Sequence, residues 1–307
     1  MISLTSQVLW CQRLEKVEPA FTSLSKFENI RDFTLASSGD EAYFTLQSPN
    51  GEISAIMHIK KTKEEWSEPF IASFSGNYQD IEPFLSPDNL RLYFASNRPL
   101  KNTGDEVKDY DIWYVSRQTL SAEWDKPVNL GSPVNSEKNE FYPSLSDNMN
   151  LYFTSNLSTT KGKDDIFLSK WDGDMYQEPI SLSESINTEG YEFNAFVSPD
   201  ESFLIFTGFN RPDGLGSGDL YISFNKGSGW QPSVNLGNQV NSDEIDYCPF
   251  VDMNSNTLYF TSKRSNLTSN RAYQNLEELL KEFSGYENGQ SRLYKVKINN
   301  ILSSGMN

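Results

Sequence analysis

The chain has 307 residues, a formal net charge of −16, 37% hydrophobic residues and 14 prolines, which describes a folded protein with many turns and excludes a disordered chain. Its 42 acidic residues against 26 basic ones would repel a phosphate backbone, which excludes nucleic acid as a partner. His58 is the only histidine, which excludes a clustered-histidine zinc site and any Ser-His-Asp triad at another position, and Cys11 and Cys248 lie far apart, which argues against a disulfide framework.

The first segment, residues 1–16, is predicted to be an N-terminal tail or the remnant of a signal peptide. Its stretch ISLTSQVLWCQ, Ile2 to Gln12, resembles the last part of a signal peptide, with a short N-terminal strand as the alternative. No run in the sequence reaches the roughly eighteen apolar residues of a membrane span. We therefore expect a periplasmic or secreted protein, with the cytoplasm as the alternative.

One phrase then recurs along the rest of the chain. Its copies are FTLASSGDEAYFTLQS from Phe33, PFLSPDNLRLYFASNR from Pro83, PSLSDNMNLYFTSN from Pro143, AFVSPDESFLIFTGFN from Ala195 and PFVDMNSNTLYFTSKR from Pro249. The anchors are Tyr43, Tyr93, Tyr152, Ile205 and Tyr259. They recur every 50 to 59 residues, which is typical of β-propeller blades and too long for most helical solenoids.

Each repeat carries further strand-like phrases. An alternating run such as DIWYVSR at Asp111 or DLYISF at Asp219 follows the repeated phrase, and then comes an aromatic residue with a proline, as in WDKPVNLG at Trp124. Proline donates no ladder hydrogen bond, so this last phrase suits the outer edge strand of a blade. The segment VEPAFTS, Val17 to Ser23, resembles an edge phrase with no blade before it, so we expect it to close the last blade.

The sequence thus predicts an all-β fold with a single propeller over residues 17–307. It has five four-stranded blades, with six as the alternative, and blade units that start near residues 30, 80, 138, 190 and 244. One short helical insertion interrupts the last unit at residues 267–291. There, from Arg271 to Phe283, the residues Leu276, Leu279, Leu280 and Phe283 follow helical spacing, which predicts a helix that covers an apolar patch, closes the channel mouth as a lid or docks a partner.

The repeat resembles a known class. Units of the form SPD...LYF.S.R, a loop, D.DIW and W..P.NLG..VNS...E..P resemble the WD40-like repeat, also called the PD40 repeat, of TolB-like proteins, from about Val17 to about Asn300. Ser86-Pro87-Asp88 keeps the signature, whereas Ser146-Asp147 lacks the proline. The resemblance implies a propeller that serves as an interaction module in the bacterial envelope or beside a peptidase, and no particular activity.

Two sets of charged residues recur from blade to blade. Glu82, Glu140, Glu192 and Asp246 precede the inner strands and are expected near one mouth of the channel, where they either bond to neighbouring loops or hold a cation such as a structural calcium. No other cofactor is expected. Asp111, Asp165 and Asp219 open the third strands, and Arg98, Arg211 and Arg264 follow the second. We expect these carboxylates and guanidinium groups to pair and fix the loop between them.

The loops between second and third strands differ in length and should share a face with the connections between blades, which is where recognition residues are expected. The residues predicted to bind a ligand there are Asn97, Arg98, Asp109, Asp111, Arg211, Asp213 and Arg264, with the acids Glu82, Glu140, Glu192 and Asp246.

The sequence therefore favours a non-catalytic scaffold, a monomer or a module of an envelope complex, that binds a protein, a peptide or a glycan through the loop face. The alternative is a carbohydrate-active hydrolase at the channel mouth. Two carboxylates roughly 5 to 10 Å apart and not bonded to arginine would favour the hydrolase. Acids that are hydrogen-bonded to backbone or paired with arginine would favour binding.

Overall fold

The chain folds as an all-β propeller of five antiparallel blades, as predicted; four blades have four strands, and in the first the outer position is divided between two two-residue strands. The computed structural model describes residues 16–63, 65–100 and 107–305, so the predicted tail lies almost wholly outside the described residues. The innermost strand of each blade contacts that of the next, and the fifth contacts the first. The five inner strands therefore surround one central channel.

The strands follow the chain in blade order. Blade 1 contains β2 (Ile30–Leu35), β3 (Glu41–Gln47), β4 (Ser54–Thr62), β5 (Glu65–Trp66) and β6 (Phe70–Ile71), where both β5 and β6 pair with β4. Blade 2 contains β7 (Asp80–Leu85), β8 (Arg91–Ser96), β9 (Asp111–Ser116) and β10 (Val128–Asn129). Blade 3 contains β11 (Glu140–Leu145), β12 (Leu151–Ser155), β13 (Asp165–Ser169) and β14 (Ile180–Ser181). Blade 4 contains β15 (Tyr191–Val197), β16 (Phe203–Phe209), β17 (Gly218–Phe224) and β18 (Val234–Asn235).

The last blade joins the two ends of the described chain. It contains β19 (Asp246–Asp252), β20 (Thr257–Ser262) and β21 (Arg292–Lys297), and its outer strand is β1 (Glu18–Pro19). Glu18 pairs with Lys295 and Pro19 with Tyr294, and the Ala20 amide donates to the Leu293 carbonyl at 2.9 Å. The predicted ring closure is confirmed: β1 completes the last blade, so β21 is not left as an edge strand.

The Ser-Pro-Asp signature is turn chemistry between the first and second strands. In blade 2 the Ser86 hydroxyl accepts from the Arg91 amide at 2.9 Å, and Asp88 Oδ1 accepts from the Leu90 amide at 3.0 Å. Asn89 takes the left-handed conformation with φ 56°, which asparagine tolerates better than most residues. Short polar side chains that bond to nearby amides favour such turns, so the recurrence of this motif has a structural cause.

The asparagine of the PVN phrase holds the third strand. Asn135 Oδ1 accepts from the Ile112 amide at 2.9 Å, and its Nδ2 donates to the Ile112 carbonyl at 2.9 Å. Asn187 brackets Ile166 and Asn241 brackets Leu220 in the same way. The side chain thereby bonds to the third-strand amide and shares the third-strand carbonyl with a backbone amide that follows the outer strand, as the Leu130 amide donates to the Ile112 carbonyl at 3.0 Å.

Two short helices lie outside the blades. Helix α1 (Leu276–Phe283) begins after Asn275, whose Oδ1 accepts from the Glu278 amide at 3.0 Å. Helix α2 (Asn299–Gly305), which the sequence did not predict, buries Ile301 and Leu302. No helix among the described residues is long and apolar enough to cross a membrane.

Candidate functional site

Three of the predicted arginines clamp the start of an inner strand. Arg98 Nη2 lies 2.5 Å from Asp80 Oδ1 and 3.2 Å from the Phe74 carbonyl oxygen. Arg264 repeats this geometry with Asp246 at 2.8 Å and the Val240 carbonyl at 2.9 Å. Arg211 does so with Glu192 at 3.0 Å and the Ile186 carbonyl. We call this contact the arginine clamp; it ties each inner strand to the connection from the preceding blade.

The predicted pairing of these arginines with the third-strand aspartates is wrong. Asp111 instead accepts from Lys108 Nζ at 2.7 Å and from Asn129 Nδ2 at 2.6 Å. Asp219 accepts from two amides of its own loop and from Asn235 Nδ2. The guanidinium groups lie over the inner strand because they find there both a buried carboxylate and an unpaired carbonyl oxygen.

The predicted set of four equivalent acids also needs correction. Strand register places Asp80, not Glu82, level with Glu140, Glu192 and Asp246, since each of these four pairs with the equivalent residue of the second strand. All four carboxylates are buried. Within residues 16–63, 65–100 and 107–305 no three His, Cys, Asp or Glu side chains are arranged to hold a metal ion.

Blade 3 has the acid without the arginine, because Leu157 follows its second strand. Glu140 accepts from the amide and hydroxyl of Ser136, at 3.1 and 2.6 Å, and from Ser155 Oγ at 3.3 Å. Burial raises the pKa of Glu140 to about 7, against these hydrogen bonds, which lower it. This blade is a natural unclamped variant of its neighbours.

The remaining predicted ligand residues bond at the roots of their loops. Asn97 exchanges hydrogen bonds with Gln79, from its Nδ2 to Gln79 Oε1 at 2.9 Å and from the Gln79 amide to its Oδ1 at 3.0 Å. Asp109 lies 3.2 Å from Lys108 Nζ. Asp213 accepts from the Tyr221 hydroxyl at 2.8 Å. These contacts order the loops.

The apolar stripe of α1 does not pack on the propeller, although Tyr286, later in the same insertion, packs on Tyr294 of the last blade. Helix α1 starts five residues later than the predicted Arg271, whose guanidinium bonds to Glu282 at 2.5 Å from outside the helix. None of its residues is buried, and Leu276, Leu280 and Phe283 are 67%, 53% and 56% exposed. The apolar stripe faces an open surface groove, so it does not cover an apolar patch of the blades.

A different set of residues meets inside the channel. Each inner strand has an irregularity in its pairing, and one residue at each irregularity has a left-handed φ between 50° and 61°. We call these five residues the channel ring: Asp32, Glu82, Tyr142, Asn194 and Cys248. A bulge re-aims the side chain that it carries, and non-glycine residues take this conformation at a cost. Their exposed fractions, 1%, 4%, 6%, 4% and 0%, show that they fill the channel at this level.

Arg31 joins the ring into one network. Its Nε donates to Asp32 Oδ1 and its Nη2 to Glu82 Oε1, both at 2.8 Å. The Cys248 thiol donates to Asp32 Oδ1 at 2.7 Å and lies 3.4 Å from Asn194 Oδ1. Two acids that face the channel thus share a single guanidinium group.

The backbone of the next blade also binds Glu82. The Tyr142 amide donates to Glu82 Oε2 at 2.7 Å. At two of the equivalent interfaces a threonine accepts this bond instead: Thr45 from the Glu82 amide at 3.0 Å and Thr154 from the Asn194 amide at 3.0 Å. Blade 2 has Ala95 at the threonine position, so the carboxylate of Glu82 replaces the missing hydroxyl.

Burial controls the protonation of the network. Burial, together with the nearby charge of Asp32, raises the pKa of Glu82 to about 7 even though Arg31 lowers it. Burial likewise raises the pKa of Tyr142 and of the Cys248 thiol well above their ordinary values. Burial alone would lower the pKa of Arg31, but Asp32, Cys248, Tyr247 and Glu82 raise it, so the guanidinium stays charged.

Aromatic residues lie on both sides of the ring. Farther from the loop face, Phe33, Phe84, Phe196 and Phe250 pack with ring centroids 5.5 to 6.4 Å apart and close the channel. Nearer the loop face, the residue just before the ring position is aromatic in three blades and packs with Tyr142 and Cys248. These residues are Phe141, Phe193 and Tyr247. We call the space that these three residues and Arg31 surround the channel mouth. Arg31 lies 5.4 Å from the Tyr247 ring, and its side chain keeps 20% exposure.

Sequence reasoning found Glu82 but missed the other four ring residues and Arg31. The five positions stand just before Phe33, Pro83, Pro143, Ala195 and Pro249. An alignment of the repeats on those residues would have placed Asp, Glu, Tyr, Asn and Cys in one column. The signal available in the sequence was that this column does not repeat, although it lies within a buried strand.

The comparisons with known proteins identify the fold. No protein-family model matches the chain, and no curated protein matches it. The GH62 α-L-arabinofuranosidase catalytic domain of Coprinopsis cinerea has a TM-score of 0.54 at 9% identity, over 92% of this chain and 94% of that chain. CoXyl43, a GH43 β-xylosidase/α-arabinofuranosidase from a compost microbial metagenome, has a TM-score of 0.51 at 10% identity, over 92% and 94%.

TolB from Acinetobacter baumannii has a TM-score of 0.46 at 12% identity, over 88% of this chain and 56% of that chain. The chain therefore spans little more than half the length of this TolB. At such identities the likeness to the GH62 and GH43 structures shows the propeller fold alone.

Proposed function

We propose that the protein is a non-catalytic propeller scaffold that binds a protein, peptide or glycan at the channel mouth. The observation that carries the proposal is the channel ring, where the blades diverge into five different residues while an acid recurs two positions earlier in four of the five blades. Divergence on a rigid repeat scaffold is typical of recognition. Partly exposed aromatic side chains beside a few polar groups are the usual lining of a binding site.

The state of the acids supports binding over catalysis. The carboxylates of Asp80, Glu192 and Asp246 are paired with arginine, and Glu140 bonds to Ser136 and Ser155. Asp32 and Glu82 both bond to Arg31. A hydrolytic pair needs carboxylates free to exchange protons with the substrate and with water.

The experiment that tests this proposal is capture from the native envelope fraction with immobilised protein. The variant Phe141→Ser/Phe193→Ser removes the aromatic faces of the channel mouth, and we expect it to lose at least ten-fold in retained ligand. The matched control is Leu276→Ser/Leu280→Ser, which changes two exposed residues of α1 and should retain as much as the unmodified chain. Equal retention by the mouth variant, or loss with the control alone, would contradict the channel mouth as the site.

A second candidate function is glycoside hydrolysis. It is favoured by one observation: Glu82, with a pKa of about 7, lies beside Asp32 in the channel of a fold that GH62 and GH43 enzymes also use. In such a reaction Glu82 would protonate the leaving group. Release of arabinose from an aryl α-L-arabinofuranoside, lost in Glu82→Gln, would support the hydrolase, and no release above the Glu82→Gln background would leave the binding scaffold.

Membership of the WD40-like (PD40) repeat class and a location in the periplasm or outside the cell belong to the same proposal. Their support is the repeated SPD, LYF and DIW phrases and the apolar segment from Ile2 to Gln12. Fractionation of cells that express the natural gene tests the location, since recovery in the cytoplasm alone would contradict export.

A further inference from the structure

The channel mouth is a blind cup. The channel ring lies beneath it with exposed fractions of 6% or less, and the phenylalanine cluster of Phe33, Phe84, Phe196 and Phe250 closes the channel below the ring. A chain cannot thread through the propeller at this point. A ligand that enters the cup must therefore present an end or a projecting group.

The charges that face the cup nearly cancel. Arg31, from β2, is bonded to Asp32 of the same strand and to Glu82 of β7, and Glu82 is half-protonated near pH 7. The titratable groups from the other inner strands, Tyr142 of β11 and Tyr247 and Cys248 of β19, have raised pKa values and stay neutral.

This balance disfavours charged ligands. An anion would meet two carboxylates on a protein of formal charge −16, and a cation would meet Arg31 first, because Arg31 is the most exposed member of the network. The cup therefore favours a neutral group.

The hydrogen-bonding groups of the cup suit hydroxyls. Nε and Nη2 of Arg31 are used by Asp32 and Glu82, while Nη1 has no acceptor among the described residues and can donate to a ligand oxygen. Asp32 Oδ2 is buried and, in the part of the chain that the structure describes, accepts no hydrogen bond. The Asp32 side chain is 0% exposed, so the group of this pair that a ligand can reach is the Nη1 donor, which a hydroxyl oxygen accepts.

The aromatic side chains that line the cup add a second criterion for the class of ligand. Phe141 and Phe193 are partly exposed, and Phe141 is backed by Tyr110 at a centroid distance of 5.0 Å. Such faces bind the apolar face of a sugar ring by burying its C–H groups. The end of an oligosaccharide is neutral, whereas a free peptide end carries an ammonium or carboxylate group.

We propose that the channel mouth binds the terminal residue of a neutral oligosaccharide, with its hydroxyls on Arg31 and its ring against Phe141 and Phe193. This inference rests on the proposed function as a binding scaffold and names the ligand class.

The experiment is a glycan array with the full chain, followed by calorimetric titration. The probes are neutral trisaccharides (cellotriose, xylotriose, maltotriose and the N-acetylglucosamine trimer), trigalacturonate as the acidic probe, and a tripeptide with blocked ends. We expect one or more neutral trisaccharides to bind, and Arg31→Gln and Phe141→Leu each to weaken that binding at least ten-fold.

The control is Arg91→Gln, an exposed arginine at the opposite end of β8 from the loop face, which should bind as the unmodified chain does. Circular dichroism melting of every variant separates loss of binding from loss of folding, and Phe141→Leu serves as the test if Arg31→Gln does not fold.

The other outcomes separate the two proposals. Arg31-dependent binding of trigalacturonate or of the blocked tripeptide alone would overturn the neutral glycan and leave the channel mouth as a binding site. Binding of any probe that neither Arg31→Gln nor Phe141→Leu weakens would overturn both. If none of the neutral trisaccharides binds, this inference is overturned. The capture experiment with the envelope fraction tests the scaffold function independently.

Discussion

Two layers of the same channel use their polar residues in opposite ways. At the start of the inner strands the acids repeat, and three of them carry an arginine clamp with the same partners in each blade. Two residues further in, the channel ring has a different residue in every blade, connected across the channel rather than within a blade. The comparison teaches that repetition marks bonds that hold blades together, and that loss of repetition marks the position free to specialise.

The largest expected effect is the loss of a clamp. Arg98→Leu leaves the buried Asp80 carboxylate and the Phe74 carbonyl without their cation, since the side chain of Arg98 is 4% exposed and that of Asp80 fully buried. We expect a loss of about 3 to 5 kcal/mol in the free energy of unfolding, which denaturant titration measures.

A matched control is Lys26→Ala, which breaks the pair with Glu68, whose side chains are 56% and 76% exposed. This pair should contribute less than about 1 kcal/mol. Equal losses in Arg98→Leu and Lys26→Ala would show that the clamp has no structural role and would remove the contrast between the two layers.

The second-largest effect is expected in blade 3, which has no arginine clamp. In the unmodified chain the pKa of Glu140 is about 7, above the ordinary 4.5, so the folded state holds the proton more tightly than the unfolded state does. Stability from this group is present below about pH 4.5 and is lost as the pH rises to about 7. Leu157→Arg supplies a guanidinium, which should lower the pKa of Glu140 and remove most of this loss.

The measurement compares denaturation midpoints at pH 5 and at pH 7.5 for Leu157→Arg, with Leu157→Met as the control. We expect the arginine variant to gain stability relative to the control at pH 7.5 and little at pH 5. An equal shift at both pH values would show that Glu140 is not the group on which the new arginine acts.

The smallest effect on stability is expected in the channel ring. At pH 5 Glu82 is protonated, because its pKa is about 7, so Glu82→Gln replaces one neutral group with another and should cost less than about 1.5 kcal/mol, the size of one hydrogen bond. Because glutamine does not titrate, the variant should also lose less stability than the unmodified chain as the pH rises from about 4.5 to about 7.

Chemical denaturation of Glu82→Gln across this pH range checks both points. A loss as large as that of Arg98→Leu would make the ring a structural layer like the clamp. If the pH dependence of stability is unchanged in Glu82→Gln, the titrating group is not Glu82. Glu140, which has a raised pKa in the same pH range, remains in this variant.

The sequence by itself determined the fold. The 50 to 59 residue period, the edge-strand prolines and the orphan VEPAFTS segment favoured five four-stranded blades over six and predicted their closure by the N-terminal strand. These signals are local, because turns, strand alternation and edge prolines depend on neighbours in the chain. The helical stripe was sufficient to predict α1, although its start at Leu276 depends on the capping bond of Asn275.

Only the tertiary structure decided which polar groups meet. Arg98 bonds to Asp80, eighteen residues before it, rather than to Asp111, and the choice follows from a carbonyl oxygen that the preceding blade connection places there. Glu82 and Cys248 lie 51 and 217 residues from Arg31 along the chain, and the three residues meet because ring closure brings β2, β7 and β19 around one axis. Contacts across a closed ring depend on how the blades are placed around the axis, and no local pattern in the sequence encodes that placement.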